Sequence, residues 1–112
     1  MLNQIQDRIQ DHILLQKIKE AVQTLEPTAQ IFLYGSRARN DAKPSSDWDI
    51  MILVDDIVTP SRVNQIRHRI YEIEWETDTI ICSIVRSKQE WHSPRLQQTP
   101  FYKLVTQDAI LL

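Results

Sequence analysis

Gly35-Ser36-Arg37-Ala38-Arg39-Asn40, a tail of six residues to Ser46, and then Asp47-Trp48-Asp49 form the stretch that decides the reading of this chain. Before it stands Ala29-Gln30-Ile31-Phe32-Leu33-Tyr34, rich in β-formers, and Gly35-Ser36 ends that run with a turn signal. After it, Asp47 to Val54 reads as a second strand, and its last residues, Ile50 to Val54, are continuously apolar. Such a run suits a strand covered on both faces. Asp47 and Asp49 are two apart on this strand, so their side chains share one face while Trp48 takes the other. Two adjacent carboxylates repel each other unless a cation neutralises them. Magnesium prefers oxygen donors and is commonly held by one or two carboxylates plus substrate phosphates. Glycine permits a close backbone approach to a ligand. A helix opening after Ser36 would face its free N–H groups toward an anion, and Arg37 and Arg39 carry guanidinium groups suited to phosphate oxygens.

Working outward, the first 25 residues read as a helix. Leu2, Ile5, Ile9 and Ile13 recur at helical spacing, then Leu14, Ile18, Val22 and Leu25. The stripe slips by one position midway, which predicts a bend or a change of packing partner. Pro27 marks the end. Thr59-Pro60 opens a second helix, with Thr59 as N-cap and Val63, Ile66, Ile70 and Ile73 as its buried stripe. A third strand is expected from about Asp78 to Val85. Ser87 to Trp91 reads as a helical turn, Pro94 and Pro100 interrupt the tail, and Phe101 to Gln107 forms a last short helix. The order is helix, strand, strand, helix, strand, helix. The expected fold is therefore α/β in the α+β sense, a small mixed β-sheet flanked by helices, built as a single domain over residues 1–112.

Composition narrows the function. Thirteen Lys and Arg oppose fifteen Asp and Glu, for a formal charge of -2, which is not the balance of a dedicated nucleic-acid binder. Nucleic acid is therefore not the expected partner, although Arg62, Arg67, His68 and Arg69 give the second helix a basic side. The single cysteine, Cys82, lies in an apolar run and reads as a small buried hydrophobe of the third strand. Trp75, Trp91, Phe101 and Tyr102 read as core. His12, His68 and His92 show no ligand spacing. No run approaches a membrane span, and the first residues lack the regions of a signal peptide, so no membrane partner and a cytoplasmic location are expected.

Gly35-Ser36, ten residues, and Asp47-x-Asp49 resemble the signature of the DNA polymerase β-like nucleotidyltransferase superfamily. The string Gly-Ser-Arg-Ala-Arg-Asn-Asp-Ala with Ser-Asp-Trp-Asp-Ile is similar to its minimal, MNT-type branch. Asn40 stands where that family usually has glycine, and Asn tolerates a left-handed turn. The resemblance implies a nucleotidyltransferase fold and transfer of a nucleotidyl group, AMP in the first instance, from ATP or another nucleoside triphosphate to an acceptor hydroxyl. It assigns Ser36 and Arg37 to the triphosphate; the residue chemistry adds Gly35 and Arg39 to the nucleotide site, with Arg37 the stronger ligand and Arg39 equally able to pair with Asp41 or another acid. It assigns Asp47 and Asp49 to metal, with two Mg2+ ions expected. It also implies a third carboxylate on a later strand, as metal ligand or general base. Asp78 is the candidate for that role and Glu76 the alternative, while Glu74 belongs to the preceding helix. Minimal members often stand beside HEPN-domain proteins in toxin–antitoxin pairs, which implies a HEPN-type protein partner and an antitoxin role. A homodimer is a further expectation. The alternative is a catalytically inactive protein of this fold that neutralises a partner by contact.

Overall fold

The computed structural model describes residues 2–112, and the side chains of residue 6 and residues 8–112. Ten elements follow in order: α1 (Leu2–Leu25), β1 (Gln30–Tyr34), α2 (Ser36–Arg39), β2 (Trp48–Val54), α3 (Pro60–Thr77), β3 (Ile81–Ser87), α4 (Lys88–Trp91), α5 (Pro94–Gln97), α6 (Pro100–Asp108) and β4 (Ile110–Leu111). The strands form one mixed sheet in the order β3-β2-β1-β4. β1 runs antiparallel to both β2 and β4, whereas β2 and β3 are parallel and are joined by the α3 crossover. The expected mixed sheet flanked by helices is the architecture observed.

β2 is central, and five consecutive residues, Ile50 to Val54, are buried, as their unbroken apolar run requires. Its even-numbered residues face one layer. Trp48, Ile50, Ile52 and Val54 join Ile31 and Leu33 of β1 and Ile81 and Val85 of β3 beneath α1 and α3. α3 contributes Ile66, Ile70 and Ile73, and Val63 packs at its margin. α1 contributes Leu14, Ile18, Ala21 and Val22, but Ile9 and Ile13 are about half exposed. The slip in the apolar stripe thus marks where α1 leaves the core. Leu2 and Ile5 of that stripe lie outside the described side chains. The other face of the sheet carries Tyr34, Met51 and Leu53, covered by Trp91 of α4 and Val105 of α6.

Three expectations need correction. β3 begins at Ile81 and not at Asp78, because α3 runs on through Thr77 and Asp78 caps it in the left-handed region (φ 52°, ψ 47°). That turn ends a helix and cannot start a strand. Cys82 is exposed, because it shares the opposite parity from buried Ile81 and β3 is an edge strand. Of the aromatics expected in the core, Trp75 is 74% exposed and meets Tyr71 edge to face on the outer side of α3, and Phe101 is 36% exposed. Two elements were not anticipated, α5 and the two-residue β4, which is too short to carry a periodic signal.

Thr59 caps α3 as expected, its hydroxyl accepting from the Arg62 N–H. Arg62 then reaches back to α1's end. Its Nε and Nη2 grip both Glu26 carboxylate oxygens at 2.8 and 2.7 Å, and Nη1 donates to the carbonyls of Asp55 and Ile57. This fork ties two loops, and its hydrogen bonds hold the Glu26 carboxyl below its ordinary range. The stability it gives is present above the unfolded carboxylate pKa and is lost as pH falls through the lower folded value. Arg62→Met is expected to cost about 1–2 kcal/mol at neutral pH, as for a partly exposed charged hydrogen-bond pair. Urea unfolding at pH 7 and pH 3 checks this, and the wild-type advantage should shrink at the lower pH.

Candidate active site

The site forms where the end of β1 meets the start of β2. Tyr34 pairs with Asp49 across the antiparallel register, so Gly35 arrives directly against the Asp49 side chain. Gly35 holds φ 77° and ψ -156°, a conformation open essentially to glycine alone. A Cβ built there would overlap Asp49 Oδ2 and stand 3.3 Å from its Cγ. The two halves of the motif therefore touch, and glycine is what permits it. The Gly35 carbonyl then accepts the N–H groups of Ala38 and Arg39 and starts α2. Asn40 ends that turn at φ 62° and ψ 33°, the left-handed cap expected of it. The Ser36 hydroxyl has no protein partner among the described residues.

Residues two apart on a helical turn are separated by about 200°, so Arg37 and Arg39 leave α2 on opposite sides. Arg37 turns toward the α1 side. Its guanidinium donates to the carbonyls of Ser46 (Nη2, 2.9 Å) and Pro44 (3.1 Å) and lies 4.4 Å from the centre of the Trp48 ring. It closes the loop between the two halves of the motif. Nε and Nη2 of Arg37 are thus engaged within the protein, while its Nη1 makes no hydrogen bond among the described residues. Arg39 turns the other way. Its Nε donates to Asp41 at 3.1 Å, the pairing expected, and its Nη1 donates to Asp108 at 2.9 Å. Its charge also reaches Asp49.

Asp49 lies in the sheet face that carries Met51 and Leu53, half-buried, while Asp47 is exposed just before β2. Burial pushes the Asp49 carboxyl above its ordinary range, the neighbouring Asp47 charge adds to this, and Arg39 offsets part of it. Trp48 is buried beneath the helices on the other face, as the alternation requires.

Neither acid expected to complete the site lies on β3. Asp78 caps α3, and Glu76 is in α3, where it meets Lys17 of α1 at 3.2 Å. The residue opposite Asp49 in the parallel register is Cys82. Its thiol donates to Asp47 Oδ2 at 3.5 Å. Burial pushes that thiol up, and so do the hydrogen bond to Asp47 and the charges of Asp47, Asp49 and Glu74. Glu74, in α3 as expected, is thus the next carboxylate felt at this point, and its Oε2 accepts the Ile81 N–H at 2.9 Å. Tyr34 completes the floor, its hydroxyl pushed up by burial and by Asp49 and Cys82. Cys82 could have been found in the sequence by counting the two-residue alternation back from Val85.

Could this donor set hold a divalent cation? Among the described residues no group of three or more His, Cys, Asp or Glu is arranged around one point. Two neighbouring carboxylates, one of them raised in pKa by burial and by the other's charge, suit a single hard cation whose remaining ligands are phosphate oxygens and water. Among the described residues, neither Asp78 nor Glu76, the acids expected as the third carboxylate, joins this set.

No described helix is long and apolar enough to cross a membrane. A search of curated proteins finds no match. The family model described as a nucleotidyltransferase domain matches residues 15–104, from the core half of α1 through β1, the Gly35–Asp49 motif and β3 to α6. With the motif's two halves in contact and most of the chain inside the matched span, the chain belongs to the nucleotidyltransferase domain family, whose reaction moves a nucleotidyl group from a nucleoside triphosphate.

Proposed function

We propose that this chain transfers AMP from ATP to an acceptor hydroxyl, with Asp47 and Asp49 holding Mg2+ and with Gly35, Ser36 and Arg39 receiving the triphosphate. The observation that carries the reading is the contact between Gly35 and the Asp49 carboxylate, which sets a carboxylate pair beside an unpartnered hydroxyl and a guanidinium. A divalent cation supplies neutralisation of phosphate charge when bound. The chain's own groups do the rest. Ser36 donates to a phosphate oxygen, Arg39 offsets the charge gathering on the leaving group, and Arg37 keeps the loop closed so that Asp47 and Asp49 stay in register. The acceptor hydroxyl gives up its proton to water, its oxygen attacks the α-phosphorus, the bond from that phosphorus to the bridging oxygen breaks, and pyrophosphate leaves. Asp78 has no role in this scheme.

The preferred acceptor is a HEPN-type protein partner, for which this chain would act as antitoxin in the cytoplasm. Support comes from the resemblance of the Gly35–Ile50 string to the minimal branch. A second reading, binding without turnover, is favoured by one observation: Cys82, not an acid, stands opposite Asp49.

Incubation with Mg2+ and α-labelled nucleoside triphosphates, with and without the product of the neighbouring gene, separates the readings. Labelled acceptor and released pyrophosphate with wild type, both absent with Asp47→Asn, support transfer. Magnesium-dependent nucleotide binding with no label on any acceptor supports the second reading. Absence of nucleotide binding sinks both.

A further inference from the structure

An acid in the last turn of a helix opposes the helix dipole. Asp108 ends α6, yet its side chain is only 12% exposed. Its one described partner is Arg39 Nη1 at 2.9 Å, 69 residues away in sequence. Both ends of this pair are fixed to the same strand. Arg39 follows β1 through the short α2 turn, while Asp108 precedes β4, which pairs with Phe32 and Leu33 of β1. The Leu112 N–H extends that pairing to the Ile31 carbonyl at 2.9 Å. On the sheet face beside the site, Phe101 of α6 meets Tyr34 and Trp91 edge to face. Asp108 is therefore carried to Arg39 by packed elements and not by a free tail.

The grip is directional. Asp41 takes Nε and Asp108 takes Nη1, while Nη2 makes no hydrogen bond among the described residues. An arginine fork held at two corners keeps its third free for a ligand, with little left to lose in side-chain freedom on binding. Arg37 leaves α2 on the other side, where Nε and Nη2 are held by the Ser46 and Pro44 carbonyls.

We infer that Asp108 is a positioning residue for the nucleotide site: it holds the Arg39 guanidinium so that its free corner receives the phosphates of the bound nucleotide. This rests on the reading of Gly35 to Asp49 as a triphosphate site. It brings the last turn of α6 into that site, although α6 contributes no ligand. The opposite electrostatic effect also has a clear sign. If Asp108 merely masked Arg39, removing its charge would strengthen the binding of a polyanion.

The test is titration of magnesium-ATP, and separately of magnesium tripolyphosphate, into wild type, Asp108→Asn, Asp108→Glu, Arg39→Gln and the double variant Arg39→Gln/Asp108→Asn. Circular dichroism melts identify any variant that fails to fold. Asp108→Asn is expected to weaken both ligands about tenfold, the loss of one oriented charge-assisted contact. Asp108→Glu should recover part of the loss, and Asp108→Asn should add nothing once Arg39 is gone. Unchanged or tighter binding by Asp108→Asn overturns the inference and leaves the nucleotide site standing. So does an equal loss in the Arg39→Gln background, which would mark a structural role alone. Failure of wild type to bind either ligand overturns the site and the inference together.

Discussion

Gly35→Ala should abolish nucleotide binding and transfer while leaving the sheet and both helical layers in place. Two costs coincide at this residue. Its φ of 77° with ψ near -156° is closed to alanine, and strain of this kind costs on the order of 1–3 kcal/mol. The new methyl group would also overlap Asp49 Oδ2, and the obstacle is a carboxylate rooted in the central strand. Either Asp49 swings away or β1 and β2 part at their paired ends. Both outcomes separate Asp49 from the Gly35–Ser36 turn, and a displacement of about 1 Å at a reacting centre can cost a hundredfold. Nucleotide titration with a parallel denaturation curve checks this. Wild-type affinity in Gly35→Ala would refute the account of why glycine stands here.

Asp49→Asn should have opposite effects on stability and activity. Burial and the Asp47 charge raise the Asp49 carboxyl, so in the nucleotide-free protein its ionised form is a local burden. The sign follows from linkage. Below the unfolded carboxylate pKa both states are protonated and nothing is lost. As pH rises through the raised folded value, the native state must ionise a group it disfavours, and stability falls. The amide removes that burden, so Asp49→Asn should melt slightly higher than wild type at pH 7, with the difference vanishing under acid. Transfer should fall by about a thousandfold or more, because among the described residues no third carboxylate joins the pair to compensate for a lost charge of this kind. A lower melting temperature would show that Asp49 is a structural hydrogen-bond acceptor first. Such a trade between stability and a charged site is common in enzymes.

The parts of this site that were legible in the sequence are those fixed by short-range rules. Asp47 and Asp49 sharing a face follows from strand alternation, Trp48 buried beneath the helices follows from the same count, and Asn40 takes the left-handed turn that its side chain tolerates. β2 declared itself through five apolar residues in a row, and α3 through Thr59-Pro60. The errors have physical causes. Glu74, Glu76 and Thr77 extend α3 because nothing before Asp78 breaks a helix, so β3 starts three residues later than expected. The resemblance does not say where Arg37 and Arg39 point, whereas the helical turn between them sends them to opposite faces. Asp108 gave no signal at all. Its partner is 69 residues away, and they are brought together by the short β1–β4 pairing and by Phe101 of α6 packing on Tyr34.

That pairing also orders events in time. β1, α2, the clasped loop and β2 form one hairpin, so Gly35, Ser36, Asp47 and Asp49 come together through a short closure in sequence. Joining β4 to β1 requires a much longer closure, with α3, β3 and three further helices between. Short closures form readily and long ones lag. A chain emerging from synthesis would thus gather its carboxylates and its glycine turn before Arg39 meets Asp108. Until β4 docks on β1, the motif stands assembled with Arg39 lacking its Asp108 partner, and under the role inferred for that pair a firm grip on nucleotide would wait for this docking.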